Sequence, residues 1–161
     1  MNLFDRRSLI AFGALLAIFP DEGTAAARSA VILFVCQAGT AKSAMARELL
    51  RRRAAERGIS VVAVSRGLQI DDHVSPKLRQ SLVAEGIDTR RDGFSVLTAR
   101  DVRAADIVVT FTQLPAALRP RDLRDWAAVV SVNDSYLAAR ADLDRRIDAL
   151  LDDVAAVGIR R

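Results

Sequence analysis

The stretch VILFVCQAGTAKSAMARELL, residues 31 to 50, decides how the chain folds. Val31 to Val35 is a continuous apolar and largely β-branched run, the pattern of a parallel strand covered on both faces. A short loop containing Gly39 follows, and from about Ser43 to Arg57 the sequence reads as a helix. Strand, tight loop and helix form the opening unit of a doubly wound sheet, and such a loop aims backbone N–H groups and a helix N-terminus at one point. Cys36, the only cysteine of the chain, stands where that strand ends.

Working outward, the same alternation continues. VVAV (61–64) and DIVVTF (106–111) read as further buried parallel strands. Helices are expected near Pro76 to Glu85 and near Thr98 to Ala104. WAAVVSV (126–132) reads as the fourth strand or extended segment. A long C-terminal helix follows in DSYLAARADLDRRIDALLDDVAAV, with Tyr136, Leu143, Ile147, Leu150, Leu151 and Val154 on its buried face. Gly58 and Gly86 fall where helices end and are read as left-handed caps. The prediction is an α/β fold: a doubly wound four-stranded parallel sheet flanked by helices in three layers.

Composition narrows the function classes. The 161 residues, 51% hydrophobic, suit one domain. A net charge of +4 is compatible with an anionic small ligand, but only 5% aromatic content gives no stacking platform for nucleic acid, so no nucleic-acid partner is expected. One cysteine and one histidine form no zinc-spaced cluster, so a structural metal is not expected, and the thiol chemistry described below implies no metal or organic cofactor. The arginine run at 51 to 53, with Arg47 and Arg57 nearby and Glu48 and Glu56 at helical spacing, reads as a solvated helix face. His73 reads as a surface turn residue.

Residues 1 to 27, MNLFDRRSLIAFGALLAIFPDEGTAAA, read as a leader. Arg6 and Arg7 precede an apolar run from Leu9 to Phe19, far short of the roughly 20 residues that span a bilayer. Pro20 and the small residues Ala25 to Ala27 then mark a cleavage site. The segment resembles a twin-arginine export signal, with Asp5 and Ala11 as imperfect matches, a general secretory signal and an uncleaved N-terminal anchor being the alternatives. Removal after Ala27 would leave the domain at 28–161, exported to the bacterial periplasm, with no membrane attachment once the signal is gone.

Cys36 has two readings from position alone: a small buried hydrophobe, or a nucleophile whose thiolate is favoured by the helix dipole and by Lys42. The spacing tips the balance. Cys36, five residues, Lys42 and Ser43 resemble the Cys-x5-Arg-Ser/Thr loop of the low-molecular-weight protein tyrosine phosphatases and the related arsenate reductases. LFVCQAGTAKSAMARELLRRR, VSRGL, EGID, LTARDVRAADIVVTF and the tryptophan before a long last helix follow that family's order, over roughly residues 31 to 155.

The resemblance implies the fold already read and a set of roles. Cys36 would form a phosphocysteine, with Ser43 bonding its thiolate. Gln37, Ala38, Gly39, Thr40, Ala41 and Lys42 would hold the phosphoryl oxygens, Gln37 and Thr40 mainly through backbone N–H groups. Asp134 would be the general acid. Three positions depart from the family. Lys42 replaces an arginine whose planar fork binds two oxygens. Ala38-Gly39 stands where Gly-Asn is usual. Asp134 is followed by Ser135 rather than proline, and Asp134 also reads as a helix cap, as does Ser43.

Three functions remain open at this point. One is an exported phosphomonoesterase acting on a phosphate-containing substrate. Another is arsenate reduction, which would need an external thiol because Cys36 has no resolving partner. The third is a non-catalytic module that binds a free oxyanion.

Overall fold

In the computed structural model, which describes residues 28–70, 76–87 and 94–158, the expected leader and His73 lie outside the described residues. The guanidinium of Arg28, the first described residue, donates to Asp106 at 2.7 Å, while the other oxygen of that carboxylate accepts from Val31 N–H at 2.8 Å.

The elements run β1 (Ala30–Cys36), α1 (Lys42–Glu56), β2 (Val61–Gly67), α2 (Pro76–Ala84), α3 (Ala99–Ala104), β3 (Ile107–Thr110), β4 (Leu123–Asp125) and α4 (Tyr136–Gly158). All strand pairings are parallel and the order is β2-β1-β3-β4. Because β1 is central, its core residues Ile32 to Val35 are at most 1% exposed, which is why its sequence is continuously apolar.

Side chains alternate across the sheet and so divide the core. Ile32, Phe34 and Cys36 share one face with Ala63 and pack under α1, α2 and α4, where Met45, Leu49, Leu82, Leu143, Ile147 and Leu151 are buried. Leu33, Val35 and Val108 share the other face, covered by Val102 and Ala105 at α3 and by Leu114 and Leu118 of the loop after β3. Each fully buried Leu or Ile stabilises the fold by about 1.5–3 kcal/mol. The result is the predicted three-layer arrangement.

α3 is only 6 residues long and is held by its start. The Thr98 hydroxyl accepts from Asp101 N–H at 3.2 Å, and the Asp101 carboxylate accepts from Thr98 N–H at 2.9 Å. Burial pushes the Asp101 carboxyl up, but the bonds from Thr98 and Arg66 outweigh it and hold the group below its ordinary value. Gly58 and Gly86 take φ of 64° and 70°, as expected of left-handed helix caps.

Three expectations are corrected. The fourth strand is Leu123–Asp125, and residues 126–132 form turns in which only Trp126, Val129 and Val132 are buried. Spacing by three lets one face of a turn reach the core, whereas a strand would bury alternate residues. β2 is an edge strand, with Val62 46% exposed, and is not covered on both faces. Arg47 is not solvated: it is 1% exposed, donating to Glu48 at 2.8 Å and to the Ser65 hydroxyl of β2 at 2.8 Å. Its neighbours also bind, with Arg51 donating to Ala63 O, Arg52 to Glu85 O and Arg57 to Asp148 O, so the arginine-rich helix staples α1 to β2, the end of α2 and α4.

Candidate active site

The loop from Cys36 to Ala41 is an extension of the sheet. Beyond the last paired residues, Leu68 N–H donates to Cys36 O at 3.1 Å and Gln69 N–H to Gln37 O at 2.9 Å, so the loop leaves β1 still tied to the chain leaving β2. Gly67 N–H in turn donates to Ser95 O at 3.1 Å, and its carbonyl accepts from Leu97 at 2.8 Å.

Two glycines meet at that junction. Gly39 turns the loop with φ of 74°, a conformation that L side chains rarely adopt. A Cβ on Gly67 would lie 2.7 Å from Gly39 N and 2.8 Å from Ala38 C, so only glycine lets the loop settle there. Ala38 needs no left-handed backbone, since Gly39 alone supplies the turn.

The turn brings groups onto the sulfur. Cys36 Sγ accepts from Gly39 N–H at 3.2 Å and lies 3.0 Å from Ser43 Oγ, while the residue is 6% exposed. Ser43 is fully buried, and its hydroxyl serves the thiol rather than capping the helix: Ala41 is the N-cap of α1, with no side-chain cap. Among the described residues, the N–H groups of Ala38, Thr40 and Ala41 donate to no backbone acceptor. Together with the first turn of α1 they leave a run of backbone donors without backbone acceptors, the kind of group that binds anions. Thr40 is buried. Gln37 is exposed, its side-chain amide donating to Gln69 at 3.3 Å.

Lys42 opens α1, and its ammonium donates to the carbonyl of Val129, in the segment between β4 and α4. Asp134, on that segment, is exposed, and its N–H donates to Ser131 O at 3.1 Å. It is not the cap of α4: Ser135 is, its hydroxyl accepting from Ala138 N–H at 3.3 Å. The structure therefore brings Cys36, Gly39 and Ser43 into direct contact and ties Lys42 to the Asp134 segment.

Sequence reasoning missed Gly67, Arg47 and Glu85. Glu85, in the turn after α2, accepts from the Tyr136 hydroxyl at 2.8 Å and from Arg140 at 2.8 Å. Burial first, and then the bond to Glu85, pushes the Tyr136 phenol far above its ordinary value.

A separate cleft of about 410 Å³ lies beside β3 and β4, lined by Thr110, Leu114, Leu118, Arg119, Leu123 and Asp125. Leu123 and Asp125 pair with Val108 and Thr110, so they share the α3 face, opposite the face of Cys36. Among the described residues, no group of three His, Cys, Asp or Glu side chains is spaced to hold a metal.

Sheet order, loop and thiol define a parallel α/β domain with a buried cysteine at the start of the loop between its central strand and first helix. Residues 31–149 match the model of the low molecular weight phosphotyrosine protein phosphatases, and the chain belongs to that family. Solved structures agree on the fold. YfkJ from Bacillus subtilis superposes with a TM-score of 0.68 at 16% identity, covering 80% of this chain and 96% of its own. A variant of the YwlE arginine phosphatase with a phosphorylated active-site serine gives 0.66 at 20%, covering 78% and 95%. The thioredoxin-dependent arsenate reductase of Corynebacterium glutamicum gives 0.62 at 24%, covering 84% and 67%. No curated protein matches at a significant level.

Proposed function

We propose that the protein is a cysteine-dependent phosphomonoesterase. The Cys36 thiolate attacks phosphorus in line, forming the S–P bond as the P–O bond to the leaving group breaks. Asp134 gives that oxygen its proton. Water, losing a proton to the Asp134 carboxylate, then attacks the phosphocysteine, forming a P–O bond as the S–P bond breaks, which releases phosphate and restores both the thiolate and the acid. The free loop N–H groups hold the equatorial oxygens, where charge builds up. The observation that carries this reading is Cys36 Sγ held by Gly39 N–H and Ser43 Oγ in a loop whose Ala38, Thr40 and Ala41 N–H groups have no backbone acceptor.

Lys42 contributes positive charge at the start of α1, but its ammonium is engaged by Val129 O. That engagement favours a second reading, a module that binds an oxyanion without turning it over. Arsenate reduction is the weaker case, because Cys36 is the only thiol of the chain and an external thiol would have to release the product.

The test is hydrolysis of an aryl phosphate by residues 28–161 alongside Cys36→Ser. Turnover abolished by serine supports the enzyme. No native turnover, with phosphate still bound, supports the module. The leader reading carries with it a site of action outside the cytoplasm, checked by N-terminal sequencing of the exported protein for a start at Arg28.

A further inference from the structure

The Asp134 carboxylate makes no hydrogen bond or ion pair with any described residue, so its place is set by what holds its segment. On one side, Asp134 and Ser135 N–H both donate to Ser131 O at 3.1 Å, closing a local turn. On the other side is the start of α4. There Tyr136 Oη donates to Glu85 Oε1 and Arg140 Nε donates to Glu85 Oε2, each at 2.8 Å, so one carboxylate holds the first two turns of the helix with both its oxygens.

Glu85 is itself fixed. Its N–H donates to Leu82 O at 3.1 Å in the turn that closes α2, and its carbonyl accepts from Arg52 of α1 at 2.7 Å. The clamp therefore reaches from α1 and α2 to the residue two places after Asp134. The ends of the Asp134 segment are thus tied to α1 at Val129 and, through Tyr136, to α2.

We propose that Glu85 is a positioning residue for the general acid, acting through Tyr136 to hold Asp134 where the leaving oxygen departs. This rests on the phosphatase reading and on Asp134 as its acid. A carboxylate that only stabilised the fold would lower the yield of folded enzyme without changing which substrates it prefers. A positioning carboxylate changes selectivity, because a poor leaving group needs its proton at the transition state and a good one does not.

The experiment compares phenyl phosphate with dinitrophenyl phosphate for the native protein, Asp134→Asn, Tyr136→Phe, Glu85→Ala and Glu85→Gln, with folding followed by circular dichroism. Tyr136→Phe removes one hydroxyl and keeps the ring, so it tests the clamp should Glu85→Ala fail to fold. The expected result is a loss of about 10-fold or more in kcat/KM for phenyl phosphate in Tyr136→Phe and Glu85→Ala, a share of the full general-acid contribution. Dinitrophenyl phosphate should be nearly unaffected, and Glu85→Gln, which keeps one acceptor oxygen, should recover part of the loss. Equal losses on both esters, or none on either, would overturn the positioning role while leaving the phosphatase reading intact. Absence of native turnover on both esters would overturn the phosphatase reading, and this role with it.

Discussion

Two parts of the candidate site are held by opposite means. The Cys36 loop is fixed by main chain: ladder bonds from Leu68 and Gln69, the Gly39 turn, and the backbone contact between Gly39 and Gly67. The segment from Trp126 to Ser135 has one main-chain bond to the sheet, Trp126 N–H to Thr110 O, and is otherwise fixed by side chains: its own Trp126, Val129 and Val132 in the core, Lys42 at Val129 O, and the Glu85 clamp just beyond Ser135. A main-chain cradle tolerates many side chains but fails at its glycines. A side-chain mooring can be loosened one bond at a time.

The largest break should therefore come from a methyl group. In Gly67→Ala the new Cβ meets Gly39 N at 2.7 Å, backbone that cannot swing aside. The loop must shift, at a cost of about 1–3 kcal/mol in stability. On the proposed phosphatase reading, displacing Cys36 and the donors around it should lower turnover by about 10²-fold or more. Gly58→Ala sharpens the comparison: its Cβ meets nothing within 4 Å, so it pays only the left-handed backbone strain, about 1–2 kcal/mol, and turnover per folded molecule should be unchanged. Thermal melts and aryl phosphate hydrolysis measure both.

Ser43→Ala comes next. It removes the hydroxyl 3.0 Å from Cys36 Sγ and leaves the cradle amides in place. A hydrogen bond to a charged group contributes about 1.5–3 kcal/mol, so turnover should fall roughly 10- to 100-fold. Alkylation of Cys36 near neutral pH should slow in parallel, and phosphate binding should be retained.

What the sequence makes legible follows the same division. Cys36, Gly39 and Ser43 lie within eight consecutive residues, so a local motif carries their contact, and β1, α1 and α4 declare themselves by apolar patterning. Gly67 sits in a quoted motif, but its role depends on β2 ending beside a loop 28 positions earlier in the chain. β4 is hidden because Leu123–Asp125 is a three-residue edge strand with two charged residues, followed at once by a more apolar segment that is not a strand. Arg47 misleads because its burial is made possible by Glu48 and by Ser65, the latter on another element. Glu85 and Tyr136 are 51 residues apart, and no periodicity links them.

Lys42→Met tests the mooring directly. It deletes the bond to Val129 O and should cost about 1 kcal/mol of stability. Because the ammonium is already occupied there, phosphate affinity should fall less than in Gly67→Ala, as titration calorimetry would show. A larger fall in Lys42→Met would mean that the ammonium leaves Val129 for the anion, and that the cradle depends on a side chain after all.

The smallest effect is on stability at alkaline pH, and it isolates Tyr136. The phenol is held well above its ordinary value, first by burial and then by its bond to Glu85. Between neutral pH and about pH 10 the phenol is protonated in both folded and unfolded chains, and the clamp contributes in full. Above that pH the unfolded chain releases the proton while the folded chain retains it, so the unfolded state binds fewer protons and stability must fall with rising pH. Tyr136→Phe should be somewhat less stable at neutral pH and should lose this part of the alkaline decline, so that the two melting curves converge as pH rises. Parallel curves would mean that the hydroxyl titrates as it does in the unfolded chain, which a phenol donating to a carboxylate cannot do. The Asp134 segment would then be moored through Arg140 and Lys42 alone.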